Sequence, residues 1–499
     1  MPPTDSQWLR VASRSLAART ARIGVTLVFM NPRRKTRPVL IGAVASAAAL
    51  VLVGVGSTPP VSAAGQVRLG ATTAPSPVPI TGDSDTGPWT TGIPRVTAAA
   101  TDLPALGSAP ASPDSAAAEA ADLTWTIRAR LSSRGSVAQI GASASGQVVD
   151  AATGRVLWAK NPTVGRAPAS NQKLITALVA LDSLGASTRF TTPVLQLPSS
   201  PATVYLKGAG DPALSSSQLG SMATATAAKV KSQGRTAVSV VIDDSLFPAP
   251  TNAAGWKPQW IPGTVAPVRA LVVDQVNVVD TSLNAGQVFA ARLKSAGVTA
   301  TSVTRGVAPS GVTTIASATS PTVGQLVQTM LNASQTDYAE AFHRLSALRR
   351  GYRADWAGAR ANALSVLASR GIDSAGLVVN DGSGLSQTGR LTPLTAIDLV
   401  STVRATPSLN SVMFAASGLP TSGVSGTLAD RYRTAPTSCA RTMVRAKTGT
   451  LATAIALSGV ASGVDGRERV FSVIINGVTS TSAARADVDA LAATATGCY

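Results

Sequence analysis

Along residues 146–160, GQVVDAATGRVLWAK, apolar and polar positions alternate on both sides of Thr153-Gly154. That pattern predicts two strands joined by a tight turn. In PASNQKLITALVALDSLG, residues 168–185, the period changes: Leu174, Ile175, Leu178, Val179 and Leu181 recur at helical spacing. Pro168 and the small residues before Ser170 suit a turn, and Gly185 ends the helix. A helix over 173–184 therefore puts Ser170 at its N-terminus and Lys173 one turn further on, on the same face. The helical part is expected to include 321–348 and 354–370 as well. Two late apolar runs, RAKTGTLATAIALSGV (445–460) and RVFSVIING (469–477), read as strands.

One apolar stretch has neither period. Residues 39–56, VLIGAVASAAALVLVGVG, carry no charge and follow Arg33, Arg34, Lys35 and Arg37. As a helix the run would span ~27 Å, close to a bilayer core of ~30 Å. Its basic N-terminal flank would stay in the cytoplasm and the rest would be exported. Small residues at 61–63 offer a signal-peptidase site, and Met30 opens a shorter, ordinary basic leader. Residues 1–63 are thus expected to form a leader with a signal or anchor segment, holding the chain to the membrane if 39–56 is uncleaved. Residues 64–120, rich in Ala, Pro, Ser and Thr, bury too little apolar surface to offset ordering and read as a disordered linker. The folded part is expected over 121–499, with an inserted lobe at about 195–315.

Composition narrows the chemistry. The net charge of +18 comes with 34 Arg and 9 Lys. No run of five basic residues, zinc finger or RNA-binding signature appears, so nucleic acid is not an expected partner. The single histidine, His343, leaves one possible base for a Ser-His-Asp triad. In the amphipathic segment AEAFHRLSALRR it is expected to be a partly exposed helix residue. Two cysteines, Cys439 and Cys498, cannot by themselves build a zinc or thiol site, but an export context allows them to pair.

A serine hydroxyl needs a base within hydrogen-bond reach to become a nucleophile, and Lys173 offers one if burial or a second cation lowers its pKa. Arg could not serve, because it does not deprotonate in proteins. S-x-x-K alone is a weak signal in a Ser-rich chain. The second signal is Lys447-Thr448-Gly449-Thr450 at the start of an apolar run: Lys447 supplies another cation, and Gly449 lets a substrate backbone approach. The reading requires both lysines to converge on Ser170.

With Ser334 between them, these motifs match the pattern of penicillin-binding proteins and class A β-lactamases. Further segments are LKGAGDP (206–212), VIDDSLF (241–247), GWKPQW (255–260), DGSGLS (381–386) and GVSGTLADR (423–431). Together they resemble the D-Ala-D-Ala carboxypeptidase/endopeptidase family, the low-molecular-mass class C penicillin-binding proteins, from about 146 to 477. The resemblance implies an α/β chain with the penicillin-binding-protein/β-lactamase-like transpeptidase fold, an antiparallel sheet flanked by helices. The short interval between Ser170 and Ser334 implies a reduced inserted lobe. It also implies catalytic Ser170, Lys173, Ser334 and Lys447, with Thr448, Gly449, Thr450 and Thr336 on the substrate; Ser334 would relay a proton to the leaving amine, and Lys447 and Thr448 would bind the substrate carboxylate or polarise Ser334. Backbone N–H groups of Ser170 and Thr450 would hold the oxyanion. Peptidoglycan stem peptides are the implied substrate and β-lactams covalent inhibitors; no metal or organic cofactor is implied.

One position departs from the family. In Ser334-Gln335-Thr336-Asp337-Tyr338-Ala339-Glu340, a segment that the resemblance places at a helix–helix turn, Thr336 stands where the family carries an asparagine whose amide contacts the lysine and the substrate. The rival reading is therefore an envelope protein that binds penicillin but turns over slowly. A β-lactamase ranks below both, for want of a glutamate motif to drive deacylation. Asp381 and Ser383 are read as turn residues, Trp256 and Trp260 as packing, and Asp211 as a turn brace.

Overall fold

The computed structural model describes residues 114–499 except 138–139 and 141–142. The 39–56 segment, Met30 and residues 64–113 of the expected linker lie outside the described residues. Among the described residues no helix is long and apolar enough to cross a membrane.

A five-stranded antiparallel sheet forms the centre. It contains β1 (Ala144–Asp150), β2 (Val156–Lys160), β8 (Val444–Leu451), β9 (Ala454–Ser462) and β10 (Glu468–Asn476), in the order β2-β1-β10-β9-β8. The expected hairpin is β1-β2, its turn closed by Gly154 at φ 68°. The chain ends of the sheet come together because β10 pairs with both β1 and β9. Strand β10 buries both faces. Val470 and Ile474 enter one apolar core, whereas Phe471, Val473 and Ile475 enter another. Two buried faces explain its nearly continuous hydrophobic run.

On the first face lie α2 (Gln172–Leu184), α5 (Val323–Ala333), α6 (Thr336–Arg349), α7 (Trp356–Ser369), α8 (Pro393–Ala405) and α9 (Pro407–Met413). The other face is covered by α1 (Asp114–Arg134) and α10 (Thr481–Ala495), through Ile127, Leu131, Val488 and Leu491. Helix α1 begins inside the stretch expected to be linker. Within the helical range 321–348, α5 and α6 meet at Ser334, whose φ of 60° is left-handed. A second, mixed sheet carries β3 (Thr191–Leu197), β4 (Ser200–Lys207), β5 (Ala237–Asp243), β6 (Thr299–Arg305) and β7 (Thr313–Thr319), ordered β6-β5-β4-β3-β7. Its core is completed by α3 (Ser216–Ser232) and α4 (Thr281–Ser295).

Cys439 and Cys498 form a disulfide that ties the segment before β8 to the chain's end just past α10. A bridge across 59 residues stabilises by about 4 kcal/mol through the entropy it removes from the unfolded chain. Cys439→Ala with Cys498→Ala is therefore expected to lower the thermal midpoint by several degrees. Differential scanning calorimetry checks it: an unchanged midpoint contradicts the assignment of a stabilising role.

Candidate active site

Ser170 lies in a short 3-10 turn, Ala169–Asn171, that runs directly into α2. Ala169, before it, holds a left-handed φ of 47°, a conformation that costs a non-glycine residue of order 1 kcal/mol. The turn brings the Ser170 hydroxyl to the helix start, and Lys173 reaches back to it: Nζ donates to Ser170 Oγ at 3.1 Å and to the Ser383 carbonyl at 3.0 Å. Lys173 is fully buried. Burial lowers its pKa to about 8, although Glu340, Asp381 and Asp337 pull it upward.

The break between α5 and α6 has a parallel effect. At the left-handed C-cap of α5, Ser334 still donates its N–H to the Met330 carbonyl and meets Lys447, whose Nζ donates to Ser334 Oγ at 3.0 Å and to the Thr448 carbonyl at 3.0 Å. Lys447 is also fully buried, and burial with the charge of Lys173 holds its pKa well below the usual lysine range. Each lysine thus has its own serine. Lys447 contacts Ser334 and not the Ser170 hydroxyl, so the two lysines do not meet on one oxygen, but Lys447 lies close enough to Lys173 for the two charges to interact.

Strand β8 is an edge of its sheet. Val444 and Ala446 turn their backbone groups outward, where they bond Ser422 and Pro420. By the alternation of an antiparallel ladder, the backbone groups of Thr448 and Thr450 face the same outer edge. Gly449 is packed against the Ser170 turn: a Cβ there would lie 2.7 Å from the Pro168 carbonyl and 3.0 Å from Asn171 Nδ2. Thr448 Oγ1 is 2.7 Å from Thr427 Oγ1, and Thr450 is exposed. Thr336 opens α6 half-buried; the partners of Lys173 Nζ are Ser170 and Ser383, and Thr336 is not one of them.

Three supporting residues were not assigned roles from the sequence. Asn171 Nδ2 donates to the Lys447 carbonyl at 3.0 Å, joining α2 to β8. Glu340, buried on α6, accepts from the backbone N–H groups of Gly382 at 3.0 Å and Ser383 at 2.9 Å. It therefore aims the Ser383 carbonyl at Lys173. Burial and Asp381 push Glu340 up to about 8, against the two N–H groups and Lys173. Thr427 is the third, and nothing in its local pattern distinguishes it from other loop threonines. A carboxylate inside the apolar stretch of α6 was the available signal for Glu340.

Asp381 braces its own turn, accepting from Gly384 N, Ser386 N and Trp256 Nε1 at 2.7–2.8 Å. Trp256 is buried. Asp211 accepts from Ala213 N at 2.8 Å. His343 departs from expectation: it is buried, not partly exposed, and its pKa falls to about 3 through burial and the charges of Arg344 and Arg360. The reason is Gly382, which lets the 381–386 turn lie directly on α6. A Cβ on that glycine would sit 2.3 Å from the Ala339 carbonyl and 2.8 Å from His343 Cβ.

Comparison with known proteins agrees with this architecture. The model of the D-Ala-D-Ala carboxypeptidase 3 (S13) family matches residues 127–279 and 261–497. Carboxypeptidase DacB of Mycolicibacterium smegmatis is 34% identical over 71% of this chain and 80% of its own length. A D-alanyl-D-alanine carboxypeptidase of Actinomadura sp. is 28% identical, over 74% of this chain and 84% of its own. Among solved structures, penicillin binding protein 4 of Haemophilus influenzae superposes with a TM-score of 0.63 at 19% identity, covering 72% of this chain and 97% of that one. These matches, with the helix–sheet–helix layering, define a peptidase of the penicillin-binding fold. The chain belongs to the D-Ala-D-Ala carboxypeptidase 3 (S13) family.

Proposed function

We propose that this chain is an exported serine D-Ala-D-Ala carboxypeptidase or endopeptidase that cleaves peptidoglycan stem peptides through an acyl-enzyme on Ser170. The observation that carries the reading is the pair of serine–lysine contacts at one strand edge, 3.1 Å for Ser170–Lys173 and 3.0 Å for Ser334–Lys447. Neutral Lys173 takes the Ser170 proton as Oγ attacks the D-Ala carbonyl. The N–H groups of Ser170 and Thr450 stabilise the oxyanion that forms. Ser334, polarised by Lys447, passes a proton to the leaving amine, and water then releases the acyl group. β-Lactams present the same carbonyl chemistry and acylate the same oxygen; one solved structure of the Haemophilus influenzae protein is described as a β-lactam complex.

Fluorescent penicillin and D-Ala release from a defined pentapeptide test this. The parent is expected to label covalently and to release D-Ala, and Ser170→Ala to do neither while melting normally. Labelling that survives Ser170→Ala would sink the assignment.

Thr336 motivates the second reading, a penicillin-binding protein of slow turnover. A threonine has one hydroxyl donor where an amide has two donors and a carbonyl. A missing donor at an acyl-transfer site costs roughly a hundredfold. Thr336→Asn is expected to raise kcat/KM on the pentapeptide by up to about that factor. A variant no faster than the parent would show that Thr336 is not the limiting group.

A further inference from the structure

Lys173 makes its second hydrogen bond to a peptide and not to a side chain. The Ser383 carbonyl that accepts it belongs to the Ser383–Gly384 peptide unit, and the N–H of that same unit donates to Asp381 Oδ1 at 2.8 Å. A planar, conjugated amide therefore joins the lysine at one end to a carboxylate at the other. The neighbouring backbone groups are tied as well. Glu340 accepts from Gly382 N and Ser383 N, and Thr176 Oγ1 donates to the Gly382 carbonyl at 2.6 Å. So held, the 383–384 unit keeps its carbonyl on Lys173.

Asp381 is equipped to carry a charge there. It is buried, and Gly384 N, Ser386 N and Trp256 Nε1 all donate to it. Burial raises its pKa, with these donors and Lys173 opposing. Glu340, the neighbouring carboxyl, has two donors and is pushed up to about 8. With three donors against two, Asp381 is the member of the pair that keeps its charge.

A negative charge accepting at an amide N–H strengthens that amide's carbonyl as an acceptor, because linked hydrogen bonds polarise one another. At Lys173 this has two consequences. The carbonyl fixes the direction of Nζ toward Ser170, and the charge beyond it favours the ammonium that forms when Ser170 gives up its proton. A carboxylate does both for the imidazole of a Ser-His-Asp triad. Here a peptide bond stands between the acid and the base.

We propose that Asp381 is a positioning residue of the acylation step, acting on Lys173 through the Ser383–Gly384 peptide. This rests on the acyl-enzyme reading above. The proton moves only from Ser170 Oγ to Lys173 Nζ; Asp381 balances the charge that appears and takes up no proton.

Asp381→Asn keeps the size of the side chain and removes its charge. Acylation by a fluorescent penicillin is followed by stopped flow across pH 6–10. Varying the penicillin concentration separates the acylation rate constant from the affinity of the complex that precedes it. The charged or titratable groups facing Lys173 and Asp381 are Asp337, Glu340, His343 and Arg344 on α6, Arg360 on α7 and Lys447 on β8. Glu340 is the one that the substitution itself perturbs. Near pH 8 it is already about half ionised, so it replaces at most about half of the lost charge.

The rate constant on the alkaline plateau is expected to fall at least about tenfold, with the preceding affinity little changed. Its inflection is expected to move to lower pH by about half a unit, because a charge that favoured the ammonium is gone. An inflection that stays at the parent's pH, or a loss carried wholly by the affinity, overturns the proposal. Where Asp381→Asn does not fold, Asp381→Asn with Trp256→Phe removes the indole donor that the new amide would face, and the same outcomes decide. A parent that does not label overturns the acyl-enzyme reading and this role with it. A parent that labels while the variant keeps its inflection overturns this role alone.

Discussion

Lys173→Arg is expected to slow acylation of Ser170 by roughly 10²–10⁴-fold, the usual contribution of a positioned general base. The substitution keeps the positive charge, so a purely electrostatic role for Lys173 would survive it. A base does not survive it, because a guanidinium holds its proton throughout the accessible pH range. The same argument sets the pH dependence. Burial lowers Lys173 to about 8, opposed by Glu340, Asp381 and Asp337 on α6 and the 381–386 turn, with Lys447 facing it from β8. Only the neutral amine accepts a proton. The acylation rate should therefore rise through pH 8 and level off above it, then fall steadily on the acid side. Stopped-flow labelling by a fluorescent penicillin across pH 6–10 reads both results. Lys173→Met, which removes the charge but retains much of the apolar stem, serves where the larger arginine impairs folding. A Lys173 variant that acylates at the parent's rate would remove this residue from the mechanism.

Gly384→Ala is the second large effect. A Cβ at 384 would lie 1.8 Å from the Ala169 carbonyl, and the residue's φ of 79° is strained for alanine in any case. The clash is with backbone, so no side-chain rotation relieves it. Either the 381–386 turn or the Ala169–Asn171 turn must move, and both hold groups that contact Lys173. A shift of about 1 Å at a reacting group can cost a hundredfold, and such a loss in acylation is expected here. The thermal midpoint should fall with it, because Gly384 N also anchors Asp381 at 2.8 Å. A variant that labels at the parent's rate would mean that this contact does not position the nucleophile.

The elements around the site differ in how far they could be read in advance. The hairpin, α2 and the late strands follow from local periodicity: alternation across Thr153-Gly154, and the i, i+3, i+4 recurrence from Leu174 to Leu181. Ser170 and Lys173 stand one helical turn apart, so their contact is also local. The helix–helix turn at Ser334 follows from the family resemblance and not from local pattern, because no Gly or Pro marks it and a left-handed serine is held by its surroundings. The burial of His343 was invisible for a related reason: what covers it is a turn near 40 residues later, admitted by Gly382.

Local pattern and residue chemistry by themselves determined the β1-β2 hairpin, α2, the Ser170–Lys173 pair and the late strands with Lys447. Tertiary structure decided which serine each lysine contacts and how Glu340 aims the Ser383 carbonyl. The division has one physical cause. Periodicity records only which face of an element is buried, whereas a contact such as Lys447 to Ser334 depends on how separate elements pack across a shared core.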